Sequence, residues 1–421
     1  MAFHADNLKV LMFGWEFPPF NSGGLGVACK GLTRGLANQG VEVIFVLPKV
    51  HGMLNEEYMR ILSAEGYGDA SSKIKFRTID SILKPYTSSK KYAADLSGLE
   101  AFGSEARNIY GSDLFSEVRR YAVYAKAIAL QEDYDVIHCH DWLTYPAGIA
   151  AKHIAELRGI HAPLIVHVHA TEFDRTVGHP NPYVYDIERR GMHLADRVIT
   201  VSEYTKDMVI RHYGVDPAKV HVVHNAIDYT APCENVWQKM KDHYKVVLFL
   251  GRVTVQKGPD HFLNIAKRIS EKDDNVRFIM VGSGDMFTRI VEESAKMGIG
   301  DRVLFSDFLS GKDVERAYKM ADVYVMSSVS EPFGLTALEA AQSGTPVVVS
   351  KQSGVCEVLK NCLVADFWDV ELMADKILSI LNNPEFKKHL SEEGMKEVRY
   401  LNWDGAASKC VDVYRSARGG K

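Results

Sequence analysis

The chain has 421 residues, 46% of them hydrophobic and 25% charged, which excludes a disordered polymer and allows about two to three ordinary domains. With 50 basic against 54 acidic residues and a formal net charge of -4, the electrostatic footprint of a nucleic-acid binder is missing, so no nucleic-acid partner is expected. Six cysteines at 29, 139, 233, 356, 362 and 410 include no CxxC pair, which argues against a zinc ribbon or a disulfide framework and for a reducing compartment.

The first residues carry no basic segment followed by an apolar core and a small-residue cleavage site. No apolar run approaches the roughly 18 residues of a membrane span. A cytoplasmic protein with no stable membrane anchor is expected. Short apolar runs then alternate with helical patterns: "KVLMFG" (9 to 14), "VEVIFVLP" (41 to 48), "DVIHCH" (135 to 140), "PLIVHVHA" (163 to 170), "RVITVS" (197 to 202) and "KVHVVHNA" (219 to 226). Their near-continuous Val, Ile and Leu content is that of strands buried on both faces of a parallel sheet. Residues 55 to 118 are less regular and read as insertions on this first unit; Tyr86, Tyr92 and Tyr110 within them either pack there or stack on a glucan.

The stretch 229 to 244, "YTAPCENVWQKMKDHY", breaks the rhythm and reads as a linker. A second series follows: "KVVLFLGR" (245 to 252), "VRFIMVGSG", "RVLFSDF", "DVYVMS" and "TPVVVS". The tail from 369 is helical, with Trp403, Val411 and Tyr414 on an amphipathic pattern. The fold expected is α/β, with two doubly wound Rossmann-like domains facing a central cleft and ligands held beyond the carboxyl ends of the strands. The expected divisions are 1–235, 236–398 and a final helix over 399–421.

Four stretches carry candidate chemistry. In "GWEFPPFNSGGLGVACKGL", Gly23, Gly24 and Gly26 follow a strand and precede a helix, so backbone N–H groups can approach a phosphate. The spacing is not GxGxxG, because Cys29 stands at the third glycine position, and the next strand ends in Pro48 and Lys49; a phosphate contact survives and NAD does not. In "GRVTVQKGPD", Arg252 and Lys257 lie just past the first strand of the second series, where two cations either balance a diphosphate or stand in solvent. In "SSVSEPFGLTALEAAQSGTP", a tight turn opens a helix from about Gly334 to Ser343, and Glu339 is its only charge. A buried unpaired carboxylate is costly, so either that side is exposed or Glu339 meets donors such as ribose hydroxyls. Glu331 and the N–H groups of Phe333, Gly334 and Leu335 face the same crevice at the helix start. The fourth stretch is a pair: His138 and His140 in "HCHDW", and His167 and His169 in "HVHATEFDR". Alternate strand residues share a face, which admits a metal-dependent hydrolase using His138, His140 and His169, but beyond these pairs no further histidine or carboxylate cluster stands at a recognisable spacing. Strand-end histidines satisfied by backbone hydrogen bonds are the plainer expectation.

Together "PPFNSGGLG", "HDW", "HATEFDR", "VSEYTKDMV", "HNAID", "GRVTVQKG" and "EPFGLTALEAAQSGTPVVVS" span the chain in the order seen in retaining glycosyltransferases of the GT-B fold. Glu331 and Glu339 match that family's E-x7-E signature. The chain resembles glycosyltransferase family 4 most, with the glycogen and starch synthases of family 5 close by. The family-5 K-x-G-G-L loop is replaced by Asn21-Ser22-Gly23-Gly24-Leu25, which moves weight toward family 4.

The resemblance implies retaining hexosyl transfer, glucosyl being favoured, from a nucleotide-sugar donor, ADP-glucose or UDP-glucose, to a soluble carbohydrate acceptor. An α-glucan, as in glycogen synthase, is the acceptor favoured, with a sucrose-type or other small acceptor as the alternative. It assigns Gly24 to the donor diphosphate, Arg252 and Lys257 to its charge, and Glu339 to the ribose. Glu331 and the backbone of Phe333, Gly334 and Leu335 would contact the transferred sugar. His169 would sit near its anomeric carbon, with Asp141, Asn225 and Gly282 as further donor contacts. No cofactor and no metal are implied.

Overall fold

The computed structural model describes residues 8–18, 23–48, 59–63, 114–228 and 243–419. The first unit contains β1 (Lys9–Phe13), α1 (Gly24–Asn38), β2 (Glu42–Leu47), β3 (Arg60–Ser63), α2 (Leu114–Gln131), β4 (Val136–His140), α3 (Tyr145–Leu157), β5 (Leu164–Val168), the single turn α4 (Glu172–Arg175), α5 (Pro182–Leu194), β6 (Arg197–Thr200), α6 (Glu203–Tyr213) and β7 (Val220–Val222). The second contains β8 (Lys245–Leu250), α7 (Pro259–Ser270), β9 (Val276–Val281), α8 (Phe287–Lys296), β10 (Val303–Ser306), α9 (Lys312–Met320), β11 (Val323–Met326), α10 (Leu335–Gln342), β12 (Val347–Ser350), β13 (Leu363–Ala365), α11 (Val370–Leu381) and α12 (Pro384–Val398). The chain ends in α13 (Trp403–Ala417).

These strands make two sheets, one seven-stranded in the order β3-β2-β1-β4-β5-β6-β7 and one six-stranded in the order β10-β9-β8-β11-β12-β13. Every strand pairing is parallel. The two doubly wound sheets expected from the apolar runs are therefore present. Strand order reverses between β1 and β4 in one sheet and between β8 and β11 in the other; at such a reversal the helices leave to opposite faces and open a crevice.

Sequence reading missed β3 and β13. The first lies in the stretch taken as irregular, and the second is only three residues long. Conversely, "KVHVVHNA" yields only Val220–Val222 as strand. Asn21, Ser22, Tyr86, Tyr92, Tyr110 and most of the expected linker at 229–244 lie outside the described residues.

Each sheet is buried on both faces. Leu11, Phe13, Ile137, Cys139, Leu164 and Val166 face one core cluster of the first unit. Their alternates Val10, Met12, Val136 and Ile165 face the other, which also takes Trp403, Ala407, Cys410 and Tyr414 of α13. The last helix thus fills the core of the first sheet although it follows the second in sequence. Two glycines make room for it: a Cβ at Gly31 would fall 2.1 Å from the Trp403 ring, and one at Gly35 would fall 2.5 Å from the Trp403 carbonyl oxygen. The helix starts where it does because Asn402 accepts a hydrogen bond from Gly405 N–H at 2.9 Å, the usual service of an N-cap side chain.

The two units also meet through polar contacts. Ser202 Oγ, at the start of α6, donates to the Pro332 carbonyl at 2.6 Å. Glu357 accepts from the N–H groups of Glu203 and Tyr204 at 2.8 and 2.9 Å, and pairs with His224 Nε2 at 2.7 Å. Burial pushes Glu357 upward, but hydrogen bonds from His224, Glu203 and Tyr204 outweigh this and hold it below its ordinary value. The carboxylate of one unit therefore caps a helix of the other.

Candidate active site

The candidate residues lie at the two strand-order reversals. On the first unit, β1 leads through Glu16 to Gly23, whose backbone is extended (φ -76°, ψ 171°) and which caps α1 without a side chain. The first-turn N–H groups of α1 are thus left for a ligand or a neighbour. Gly24 faces the second unit: a Cβ there would stand 3.9 Å from Leu335 Cδ1. Two helix starts, α1 and α10, meet across the cleft.

Asp141 directly follows β4 in the left-handed conformation (φ 58°), which Asp tolerates better than most side chains. It is 2% exposed, and its Oδ1 accepts from His169 N at 2.7 Å and from Ala170 N at 3.3 Å. Asp141 is thus occupied in orienting the loop that carries His169. The same loop is fixed below by Arg175, which donates to Glu188 at 2.9 Å and to the Ala170 carbonyl at 2.7 Å. Thr171 and Asp174 close a capping box around α4. Asp174 Oδ1 also receives Ser330 Oγ at 2.5 Å, so the histidine loop touches the neighbour of Glu331.

Across the cleft, Arg252 and Lys257 follow β8. Arg252 Nη2 donates to Gln256 Oε1 at 3.2 Å, and Gln256 Nε2 donates to the Ser330 carbonyl at 3.1 Å. Lys257 Nζ lies 2.5 Å from Glu331 Oε2, and Ser328 Oγ adds a hydrogen bond to that oxygen at 3.2 Å. Sequence reading gave Lys257 and Glu331 separate tasks; the fold brings them together as one ion pair, with Glu331 6% exposed. A ligand entering here meets a compensated carboxylate, which avoids the cost of a buried lone charge.

Gly334 adopts φ 110° and caps α10, a conformation that glycine accepts without a Cβ penalty. Helix α10 spans Leu335–Gln342, one residue short of the expected range at each end. Glu339 is half-buried, and Tyr318 OH donates to its Oε2 at 2.9 Å. Burial raises its pKa, and the tyrosine bond lowers it in part. Glu339 is thus not in open solvent, and the donor it meets within the chain is the Tyr318 hydroxyl. Gly282 has a structural task, since a Cβ there would lie 1.9 Å from the Gly251 carbonyl oxygen. Asn225 is 8% exposed and lies beyond β7.

The histidines behave differently from the plainer expectation. His138, His140 and His167 are fully or almost fully buried, and among the described residues His138 Nε2, His140 Nε2 and both nitrogens of His167 have no hydrogen-bond partner. Only His138 Nδ1, with Tyr414 OH at 2.6 Å, and His140 Nδ1, with His169 Nε2 at 2.9 Å, are held. One ligand atom from each of His138, His140 and His167 lies within 4.8 Å of the others. Their rings are nevertheless close to parallel, at 27° for His138 with His140 and 11° for His138 with His167. Imidazole lone pairs lie in the ring plane, so near-parallel stacked rings cannot aim three of them at one ion about 2 Å away. Burial, and then the neighbouring histidines, push their pKa values down, His138 to about 3, and the stack is neutral at neutral pH. His169 is lowered by burial while Asp141 draws it up.

Two facing doubly wound sheets, with a glycine-led helix start opposite an E-x7-E helix and two cations between, define the GT-B glycosyltransferases. The group 1 glycosyl transferase model matches residues 235–397, and the glycosyltransferase family 4 model matches residues 22–231. An uncharacterized glycosyltransferase of Methanocaldococcus jannaschii is 30% identical, the match covering 97% of this chain and 98% of that protein. Glycogen synthase of Mycobacterium tuberculosis is 24% identical over 98% of this chain and 96% of its own length. Among solved structures, sucrose-phosphate synthase from Thermosynechococcus elongatus superposes with a TM-score of 0.76 at 20% identity, covering 97% of this chain and 99% of that one. The chain belongs to the GT-B glycosyltransferases of the family 4 and family 5 type.

Sequence reasoning missed Glu16, Asp174, Ser330 and the Glu357–His224 pair. Of these only Glu16 carried a signal, as the one charge in "GWEFPPF". The others become visible only when the two units are placed together.

Proposed function

We propose that the protein transfers a glucosyl unit, with retention of anomeric configuration, from ADP-glucose or UDP-glucose to an α-glucan in the cytoplasm. Residues 1–235 would present the acceptor, 236–398 would bind the donor, and the helix of 399–421 would return to the first unit. The observation that carries this reading is the meeting of the α1 and α10 starts across one cleft, with Arg252 and the Lys257–Glu331 pair beside them. N–H groups of α1 and the Arg252 and Lys257 side chains suit a diphosphate. Glu339 suits ribose hydroxyls, and Glu331 with the turn at Phe333, Gly334 and Leu335 suits the sugar.

In this mechanism the acceptor hydroxyl oxygen bonds to the anomeric carbon on the face from which the diphosphate departs. The carbon–oxygen bond to the phosphate breaks, and the hydroxyl proton passes to the departing phosphate oxygen. The products are the lengthened glucan and a nucleoside diphosphate. Arg252 and Lys257 stabilise the charge that grows on the leaving group, which is where fixed cations are most effective. His169 is neutral at working pH and serves by hydrogen bonding near the reacting carbon. Relatedness to a glycogen synthase over nearly the whole chain supports the glucan acceptor, and the unpaired state of the described cysteines supports a reducing compartment.

The test is nucleoside diphosphate release from each donor with glycogen, a maltooligosaccharide or a phosphorylated monosaccharide as acceptor. Release that requires glucan, and falls by roughly a hundredfold or more in Glu331→Ala, is expected. Release that requires only the phosphorylated monosaccharide would transfer the proposal to a small acceptor, and full turnover by Glu331→Ala would remove the role given to that residue.

A further inference from the structure

One group at the cleft, on the first unit, has no part in that mechanism. Glu16 follows β1 and is 1% exposed, yet among the described residues neither carboxylate oxygen has a hydrogen-bond partner of good geometry, the Gly23 and Gly26 N–H groups only facing it. It is aimed at the first turn of α1: a Cβ at Gly23 would lie 2.9 Å from Glu16 Oε2. That turn has no capping side chain and no acidic residue of its own. An unpartnered buried carboxyl beside uncapped N–H groups is an expensive arrangement, and one that a bound group can relieve.

The titratable groups that face Glu16 come from three elements. Asp141, just past β4, and Arg252, after β8, act on its charge, while from α1 comes Cys29, whose own thiol is pushed far up by burial and further by Glu16. Burial drives Glu16 up to about 8 and Asp141 adds to this, while Arg252 and the Gly23 and Gly26 N–H groups pull it back only in part. Of these, Arg252 is expected at the diphosphate, and Gly23 and Gly26 flank Gly24, which is expected there too. An ionised Glu16 would repel that diphosphate; a protonated one supplies a donor and adds no charge.

We propose that Glu16 and the first turn of α1 form one proton-linked phosphate subsite, in which Glu16 enters as the neutral acid and donates its O–H to a phosphate oxygen. The inference rests on the nucleotide-sugar reading above. Binding of a nucleoside diphosphate then draws a proton from solvent whenever Glu16 is ionised in the free protein. The subsite prefers phosphate, which accepts hydrogen bonds, over ligands that bring only donors.

The experiment is titration calorimetry of the intact chain with ADP, UDP and GDP between pH 8 and 9.5, in paired buffers of different ionisation heat. The free phosphates, whose last pKa is about 6, are already ionised there. Wild type should take up close to one proton at the upper end, and its affinity should fall by up to roughly tenfold per pH unit. Glu16→Gln, which keeps the donor and removes the titration, should bind with no uptake and a flat profile. Binding by wild type without proton uptake overturns the inference, and needs no variant to be seen. Uptake that persists unchanged in Glu16→Gln overturns it as well. Absence of binding by any of the three nucleotides across the range would overturn the nucleotide-sugar reading itself, and this subsite with it.

Discussion

Lys257 and Glu331 show how the fold alters what each residue means. Each alone is an ordinary charge in a loop; 2.5 Å apart, with the Glu331 side chain 8% exposed, they are a mostly desolvated pair. Removing one partner leaves the other stranded. Lys257→Met should therefore lower unfolding free energy by about 1–3 kcal/mol, read from urea midpoints, and should cut turnover by roughly a hundredfold or more. Glu331→Gln should be milder in stability, because an amide is tolerated without a counter-charge. If Lys257→Met melts as wild type does, the pair contributes nothing to the fold and the lysine serves the ligand alone.

At the scale of single elements, β4 and β5 place four histidine rings on one face. This was partly legible: the HxH spacing announced a shared face, and the register His140 opposite His167 delivers it. Which of their ring nitrogens find partners was not legible, because it depends on what α1 and α13 bring against that face: Tyr414 holds His138, while both nitrogens of His167 have none among the described residues. Burial, and then mutual repulsion, keeps these rings neutral well below their ordinary pKa, His138 to about 3. The unfolded chain binds protons below about pH 6.5 that the folded one does not. Stability is therefore intact above that pH and is lost as pH falls from about 6.5 toward 3, by up to about 1.4 kcal/mol per pH unit for each ring. Urea midpoints at pH 7.5, 6.5 and 5.5 should show this slope, and His167→Leu should lessen it by one proton. An equal slope in the variant would mean that other groups govern the acid limb.

At the scale of the whole molecule, the units also touch where the Gly354 backbone of the second meets the Ser202 side chain of the first. A Cβ at Gly354 would fall 2.3 Å from the Pro332 carbonyl oxygen and 2.6 Å from Ser202 Cβ. Gly354→Ala should force the second unit away from α6 and move the Glu331 loop, raising KM for the donor while each sheet keeps its own core; small-angle scattering would detect the wider cleft. An unchanged KM and scattering profile would show that the contact yields locally. The two sheets could be read from apolar runs because burial on both faces writes a continuous signal into sequence. Contacts such as Ser330 with Asp174, 156 positions apart, leave no periodic trace, so the latch between units emerged only with the fold.

The position of α13 sets the order in which the chain can be completed on the ribosome. Trp403, Ala407, Cys410 and Tyr414 belong to the core of the first sheet, yet they are synthesised after every strand of the second. The first sheet must wait, with the face on which α1 packs only partly covered, until the last helix emerges. The second has its full set of strands and covering helices earlier and can close first. Nascent chains arrested before residue 403 should expose the α1 face to chaperones while the later-made unit is already protected, an inversion of the usual order in which N-terminal units finish first.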